Sequence, residues 1–198
     1  ERSKLGIEAE ARRLRYAVIE RLLGSGHLFL TAHHREDQAE TVLLNLMRAS
    51  GVDGLAGMPR IRPLGQGKLA RPLLDYPMAS LRRYLENEGI AWIEDPSNTD
   101  ATLDRNFLRH QVLPLLEQRW PGAAGRLAQS AGYCRQAAIA VERLAREQLE
   151  GMLPHRLILA LQATPDEALD FALLVRQWLK LNQVPSLPAT RLAELRRQ

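Results

Sequence analysis

The order of apolar and polar residues along the first fifty positions predicts a helix, a strand and a second helix. Residues 1–23 place alanine, leucine and isoleucine on one side of a helix and arginine and glutamate on the other. Glycines in 24–26 end this helix, and the short apolar run 27–32 predicts a buried parallel strand. A second helical pattern covers 37–49. This order is typical of a doubly wound α/β sheet, in which ligands bind beyond the carboxyl ends of the strands.

The following seventy residues predict loops between shorter elements. Residues 50–66 are rich in glycine, proline and arginine, and this composition predicts a loop. A helix is expected over 77–88, because proline is well accommodated in a first helical turn. We expect a short strand over 91–94, a turn over 95–98 and a helix over 104–118.

Helical patterns replace strand patterns in the last third of the chain. They predict, in order, a long helix, a short extended piece and two further helices: 121–150, 151–161, 165–181 and a last helix from Pro188. We therefore place a boundary near Arg119. The predicted domains are an α/β domain over 1–118 and an all-helical domain over 119–198.

Composition and charge narrow the classes of protein. No apolar run is long enough to predict a membrane span. The single cysteine, Cys134, excludes an internal disulfide or a Cys-Cys metal site, and low cysteine use is typical of the cytoplasm. The net charge is +4, and almost all cations are arginines, whose planar forks suit phosphate. The chain begins at Glu1 in an apparent helix, so we expect its natural N-terminus upstream.

The densest group of candidate functional residues follows the first predicted strand. Asp37 and Glu40 are three positions apart, so both carboxylates share one helix face, and His33 and His34 precede them. Such a set can hold Mg²⁺ through carboxylate oxygens and a nucleotide at the helix N-terminus. A capped helix start with solvated acids explains the same residues, and both interpretations stay open. Zinc is disfavoured, because adjacent histidines on a strand point to opposite faces.

Two groups of arginines are further candidates. Arg105 and Arg109 project from one face of a helix, which suits a polyanion or phosphoryl group. Arg12 and Arg15 share a face beside Tyr16, which could bind a phosphate or a base. Without further information a solvated basic helix face is the favoured interpretation of both groups, with Asp95 and Asp104 as partners of Arg105 and Arg109.

The loop over 51–59 is glycine-rich and lacks the strand–loop–lysine arrangement of a nucleotide P-loop. We predict that it is mobile and closes over a substrate. The three tryptophans, Trp92, Trp120 and Trp178, are expected in the core.

Taken together and in order, several stretches resemble the tRNA(Ile)-lysidine synthetase family. The resemblance is dense from about residue 8 to residue 132 and looser beyond. The stretches are Ala11-Arg12-x-x-Arg15-Tyr16, Ala32-His33-His34-x-x-Asp37-Gln38-x-Glu40-Thr41, Gly51-x-x-Gly54-Leu55-x-Gly57-Met58, Arg71-Pro72-Leu73-Leu74, Asp95-x-Ser97-Asn98 and Arg105-Asn106-x-x-Arg109.

The resemblance implies a fold and a reaction. The fold is α/β, a partial N-type ATP pyrophosphatase domain with an adenine-nucleotide α-hydrolase-like parallel sheet, followed by a helical tRNA-binding domain. The reaction joins free L-lysine to the wobble cytidine of tRNA(Ile) with a CAU anticodon, through a cytidine adenylated by ATP. The enzyme class is a cytoplasmic carbon–nitrogen ligase of the PP-loop superfamily, with ATP and Mg²⁺ as cofactors. Oligomeric state is left open.

The resemblance also implies roles for individual residues. Asp37 would be the carboxylate for Mg²⁺ or for the lysine amine, with Glu40 supporting it. His33 and Arg12 would border the nucleotide. Arg105 and Arg109 would steady phosphate charge and tRNA.

The chain also departs from the family pattern. No stretch of the Ser-Gly-Gly-x-Asp-Ser type, the family's pyrophosphate loop, occurs in it. We therefore expect the isolated chain not to adenylate tRNA, and AMP release from cytidine-bearing tRNA would contradict this. Another PP-loop enzyme, such as a tRNA thiolase, is an alternative, although a single cysteine argues against sulfur transfer. A non-catalytic nucleic-acid-binding module is the alternative of a different class.

Overall fold

The computed structural model describes most of the chain. The chain divides into two compact units. The described residues are 7–93, 103–152, 171–182, 184, 187, 191–192 and 194–195. The first unit ends at Arg135 and the second begins at Gln136. This division lies inside one helix, whereas the sequence predicted a boundary near residue 119. The assignment of 1–118 and 119–198 to separate biochemical tasks stays a prediction.

The elements follow one another in mixed α/β order. In the first unit they are α1 (Ile7–Leu22), β1 (Leu28–Leu30), α2 (Arg35–Met47), α3 (Val52–Leu55), β2 (Ile61–Leu64), β3 (Gly67–Ala70), α4 (Met78–Asn87), α5 (Asp104–Phe107), a π-helical segment (Leu108–Val112) and α6 (Leu113–Arg119). Helix α7 (Ala123–Met152) begins in the first unit and ends in the second, which also contains α8 (Phe171–Leu181). None of the described helices has the length and apolar composition that a membrane span requires.

Most predicted helices are present, and the differences concern short elements. The predicted loop over 50–66 contains α3 and strand β2. Residues 91–93 form no strand, so that prediction was wrong where the structure describes it. The predicted turn over 95–98, the extended piece beyond residue 152 and the start of the last helix at Pro188 lie outside the described residues.

The sheet has one parallel and one antiparallel pair of strands. Its described strands are ordered β1-β3-β2, with Phe29 beside Leu69 in the parallel pair. Strands β2 and β3 form an antiparallel hairpin. Gly65 in its turn has φ +56, and an added Cβ would lie 2.6 Å from the Glu20 carbonyl oxygen of α1. Only glycine suits this position, which brings the hairpin against α1.

Strand β1 is parallel, as predicted, but it is not buried. Leu28 and Leu30 are 53% and 58% exposed. Among the described strands β1 lies at the sheet edge, and one apolar face of α1, with Leu14, Val18 and Leu22, is also exposed. An apolar run shows that a strand can be buried, but its neighbours decide whether it is.

The predicted helix over 104–118 is interrupted by a π-helical turn. Pro114 follows the π-helical segment and stands in the first turn of α6. Proline has no N–H to donate to the carbonyl four residues earlier, and its ring crowds that carbonyl. The widened turn relieves this conflict and keeps the chain helical on both sides of it.

The core of the first unit joins α2 to α6 and the start of α7. Ala39, Leu113 and Ala124 are buried together, and Leu43, Leu116 and Leu127 pack around them. In the second unit α8 contributes Val175 and Leu179 to a separate cluster with Leu192. Trp178 packs against that cluster, but Trp92 and Trp120 are 43% and 51% exposed, so their predicted core position was wrong.

The glycine-rich loop over 51–59 is hydrogen-bonded to α2 and α7 at several points. The side-chain amide of Gln38 donates to the Met58 carbonyl (3.1 Å) and accepts from the Met58 amide (2.8 Å). Asn45 donates to the Gly54 carbonyl, and Arg135 donates to the carbonyls of Ala56 and Met58. These contacts from α2 and α7 favour a fixed loop over a mobile one, and closure of the loop over a substrate stays a prediction.

We expect Gln38→Ala to lower the free energy of unfolding by about 1–3 kcal/mol, because it leaves the buried Met58 amide without an acceptor. Urea unfolding would measure this loss. Gln129→Ala is the matched control, since the Gln129 amide bonds only the exposed Tyr133 hydroxyl among the contacts the structure describes. Equal stability of the two variants would show that the Gln38 contacts contribute little to holding the loop.

Candidate functional site

The start of α2 is fixed by carboxylates that bind backbone amides. Asp37 accepts a hydrogen bond from the His34 amide at 2.9 Å, which caps the first turn of the helix. Glu36 accepts one from the Met78 amide at 2.9 Å and so links α2 to the start of α4. The ring nitrogens of His34 lie 2.9 Å from Glu36 Oε2 and 3.3 Å from Asp37 Oδ2. The helix start is therefore locally rigid, and Asp37 is part of its cap.

Two carboxylates and two guanidinium groups meet on the inner face of α2. Arg105 Nε and Arg109 Nε donate to opposite oxygens of Glu40, at 2.6 and 2.7 Å. Arg105 Nη2 and Arg109 Nη2 lie 3.3 and 2.9 Å from Asp37 Oδ1. We call Asp37, Glu40, Arg105 and Arg109 the charge network. The four opposite charges cancel one another.

The charge network brings four predicted site residues together. Glu40 is 0% exposed and Asp37 is 8% exposed, so the alternative of solvated acids is wrong for this pair. Arg105 and Arg109 are partly buried and bind the two acids, so a freely solvated basic face is also wrong. Burial lowers the pKa of Arg109, but the hydrogen bond and negative charge of Glu40 and the charge of Asp37 outweigh this and raise it. Arg109 is therefore a permanent cation here.

The tentative Mg²⁺ site at Asp37 is poorly matched by this arrangement. Asp37 Oδ1 faces two guanidinium groups, and Oδ2 accepts the His34 amide and lies near the His34 ring. A metal ion would have to displace one of these donors. Within the described ranges, no group of three or more His, Cys, Asp or Glu is arranged to hold a metal. Mg²⁺ at Asp37 stays a prediction.

A cleft of about 430 Å³ lies between α1 and the end of β1. Its polar lining includes Arg12, Arg15, Tyr16, Thr31 and His33. The apolar part of its wall consists of Ala11, Ile19, Phe29 and Ala32. Guanidinium groups beside an apolar wall suit a ligand that combines phosphate with a flat ring system, so the lining fits a nucleotide.

His33 connects the cleft to the charge network electrostatically. Its Nδ1 lies 2.8 Å from the Thr31 hydroxyl. Burial lowers the pKa of His33 to about 4; the charge of Asp37 opposes the shift, and the charges of Arg71, Arg105 and Arg12 add to it. His33 is therefore neutral at pH 7, with one ring N–H to donate and one lone pair to accept.

The lowered pKa of His33 predicts a pH-dependent stability. The unfolded chain binds a proton below about pH 6.5, whereas folded His33 resists protonation until about pH 4. The contribution is complete above pH 6.5 and is lost as the pH falls towards 4. We expect the urea midpoint to fall over this window, and to fall less in His33→Asn. Identical pH profiles would show that His33 titrates normally.

Two residues of the site were not singled out from the sequence. Thr31 lies two positions before His33, and alternate residues of an extended segment share a face, so this spacing could have identified it. Arg71 was noted only as part of a motif, yet it is 4% exposed and close enough to influence His33. The two adjacent histidines lie between β1 and α2 and have different partners, Thr31 for His33 and Glu36 for His34.

Comparison with known proteins identifies the fold family. Residues 1–116 match the model of the PP-loop domain. A protein of Alkalilimnicola ehrlichii named tRNA(Ile)-lysidine synthase is 44% identical over 192 residues, which cover 96% of this chain and 42% of that protein. Proteins of the same name from Coxiella burnetii and Pseudomonas fluorescens are 39% and 48% identical, over 95% and 72% of this chain and 42% and 32% of their own lengths.

The chain thus spans less than half the length of these curated relatives. The family match covers more than half of the chain and includes β1, α2 and both arginines of the charge network. From the match and the mixed α/β fold together we conclude that the chain belongs to the PP-loop family.

Proposed function

We propose that this chain is part of a tRNA-modifying ligase that joins lysine to the wobble cytidine of tRNA(Ile), at the expense of ATP. The observation that carries the proposal is the proximity of a nucleotide-sized cleft to the charge network. His33 lines the cleft, and the charges of Asp37 and Arg105 influence its pKa. The similarity to proteins named tRNA(Ile)-lysidine synthase supports the same substrate.

ATP is proposed to occupy the cleft beside α1. Phe29 and Ile19 offer an apolar wall for the base, and Arg12 offers its guanidinium to phosphate oxygens. Neutral His33 can donate one hydrogen bond there without adding positive charge. The PP-loop family match supports ATP as the nucleotide.

In the proposed reaction the cytosine carbonyl oxygen attacks the α-phosphorus of ATP and pyrophosphate leaves. An amine of lysine then attacks the activated ring carbon, loses a proton, and AMP leaves. Asp37 is assigned to bind the lysine ammonium group. Glu40 holds Arg105 and Arg109 in place. Arg105 and Arg109 are assigned to the phosphate charge that develops. Positioning and electrostatics would supply most of the rate.

This assignment requires the charge network to open. Both guanidinium groups bind Asp37 Oδ1 through Nη2 in the structure, so one of them must leave Asp37 before the lysine ammonium group can bind there. Its place on Asp37 could be taken by the lysine ammonium group, which would keep the number of opposite charges equal. Replacing one cation on Asp37 by another keeps the buried site neutral. This exchange therefore costs less free energy than one that leaves a buried charge unpaired.

The test is lysine incorporation by a complete protein that contains this chain. The assay supplies labelled L-lysine, ATP and tRNA(Ile) with a CAU anticodon, and it follows labelled tRNA and AMP. Lysine transfer that depends on ATP supports the proposal. AMP release without lysine transfer would indicate another PP-loop modification, and salt-sensitive tRNA binding without AMP release would indicate a binding module. The same tRNA with uridine at the wobble position serves as the control.

A further inference from the structure

Three guanidinium groups gather around one tyrosine ring between α1 and the β2–β3 hairpin. Arg12 Cζ lies 5.7 Å and Arg62 Cζ 5.4 Å from the centroid of the Tyr16 ring. Arg71 follows β3 and has its pKa lowered, chiefly by burial; the Tyr16 side chain, which also hydrogen-bonds Arg71, opposes this shift, and the charges of Arg62 and Arg12 add to it. We call Arg12, Arg62 and Arg71 the arginine cluster. Its members are close enough to repel one another.

Arg71 is buried without a matching negative charge. It is 4% exposed, and its Nη1 donates to the Pro59 carbonyl at 2.8 Å. Its Nε is also buried, and no acceptor among the described residues lies within hydrogen-bond distance of it. None of the ion pairs that the structure describes includes a member of the arginine cluster. A buried cation that lacks both a counter-charge and a full set of acceptors is costly.

The arginine cluster contrasts with the charge network in how its charges are partnered. In the network each guanidinium has carboxylate partners, and the charges cancel. In the cluster the tyrosine ring and backbone carbonyls offer only partial negative charge. An oxyanion would supply what the cluster lacks, because guanidinium forks match phosphate oxygens in geometry and charge.

We propose that Arg12, Arg62 and Arg71 form a phosphate-binding site next to Tyr16. Arg12 is exposed and also lines the cleft, so a phosphate group can reach the cluster from there. Arg62 is half-buried and supplies a second positive charge. Arg71 is buried and supplies a third, whose position is fixed. The phosphate belongs either to a free nucleotide or to the backbone of an RNA. Because Arg12 is shared, the inference rests on the nucleotide site proposed above and names the group held at its edge.

The geometry also assigns a task to the Met58–Pro59 segment. Gln38 holds Met58 from α2, and the next carbonyl, that of Pro59, holds Arg71. Through these contacts α2, which carries the two acids of the charge network, also sets the position of the buried arginine. Gln38 is thus a positioning residue for the cluster as well as an anchor of the loop.

The test is calorimetric titration of the 198-residue chain with inorganic pyrophosphate. We expect saturable binding that is weakened about tenfold in Arg62→Gln, since one charge-assisted contact is lost. Arg62 is chosen over Arg71 because it is less buried and its replacement is less disruptive. Arg83→Gln, an exposed arginine on α4, is the matched control and should bind like the parent chain. Thermal unfolding of both variants verifies that they are folded.

Competition distinguishes the two sources of phosphate. Pyrophosphate that displaces ATP but not a short single-stranded oligoribonucleotide assigns the site to a nucleotide, and the reverse result assigns it to RNA. No binding by the parent chain, or equal affinity in Arg62→Gln and Arg83→Gln, would overturn the inference. The titration contains neither lysine nor tRNA(Ile). It can therefore succeed when lysine transfer fails, and fail when lysine transfer succeeds.

Discussion

Asp37→Asn in a complete protein that contains this chain is expected to lower lysine incorporation about 100-fold or more. Asparagine keeps the shape of the side chain and removes its charge. A preorganised charge in a buried site typically contributes a factor of this order to the rate. Asp37 is 8% exposed and lies between Arg105 and Arg109, so water cannot easily replace it. Initial rates at several lysine concentrations measure the effect.

The kinetic pattern tests the role assigned to Asp37. If its carboxylate holds the lysine ammonium group, the KM for lysine rises, while adenylation of the tRNA, measured as pyrophosphate release in the absence of lysine, changes less. Asp53→Asn is the matched control, since Asp53 is exposed on α3, and it should keep full activity. If the Asp37→Asn enzyme incorporates lysine at the parent rate, Asp37 does not bind the lysine ammonium group in the reaction.

Glu40→Gln is expected to lower the free energy of unfolding by about 3–5 kcal/mol, the range found when one partner of a buried ion pair is removed. Glu40 is 0% exposed and accepts hydrogen bonds from both Arg105 and Arg109. The neutral amide turns an N–H group toward one of these donors and leaves two cations facing a single carboxylate. Urea unfolding and hydrogen exchange of the α2 amides would measure the loss.

Glu10→Gln provides the control for Glu40→Gln. Glu10 pairs with Arg13 on the exposed face of α1, where solvent screens the pair, so its replacement should cost far less stability than that of Glu40. If both variants lose the same small amount of stability, the charge network does not behave as a buried ion-pair cluster. Its closed arrangement would then be one of several that the folded chain adopts.

The sequence predicted the acidic pair and the arginine pair of the charge network separately. Asp37 and Glu40 are three positions apart and Arg105 and Arg109 are four apart, and helical geometry places each pair on one face. That the two faces bind each other could not be derived in this way, because 65 residues separate Glu40 from Arg105. The approach is created by packing of α2 against the helices after residue 103.

The fold was predictable where a local pattern decides the outcome and less so elsewhere. Long periodic stretches predicted α1, α2 and α7, and Gly24 marked the end of α1. Strand β3 was missed because Gly67 and Lys68 are poor strand formers, and pairing with β1 and β2 on both sides overrides that preference. Burial of β1 was mispredicted, because burial depends on neighbours that a strand's own sequence does not specify.

The neutrality of the charge network has a consequence for how a ligand first approaches. Charges that cancel at short range produce almost no potential beyond about 10 Å in physiological salt. The long-range field at the mouth of the cleft is then set by the arginines without an acidic partner among the described residues, which include Arg12, Arg15 and Arg62. A polyanion would be drawn to the cleft by that field at a rate that falls with ionic strength. Asp37 and Glu40 would not slow its arrival, and would act only once it is bound.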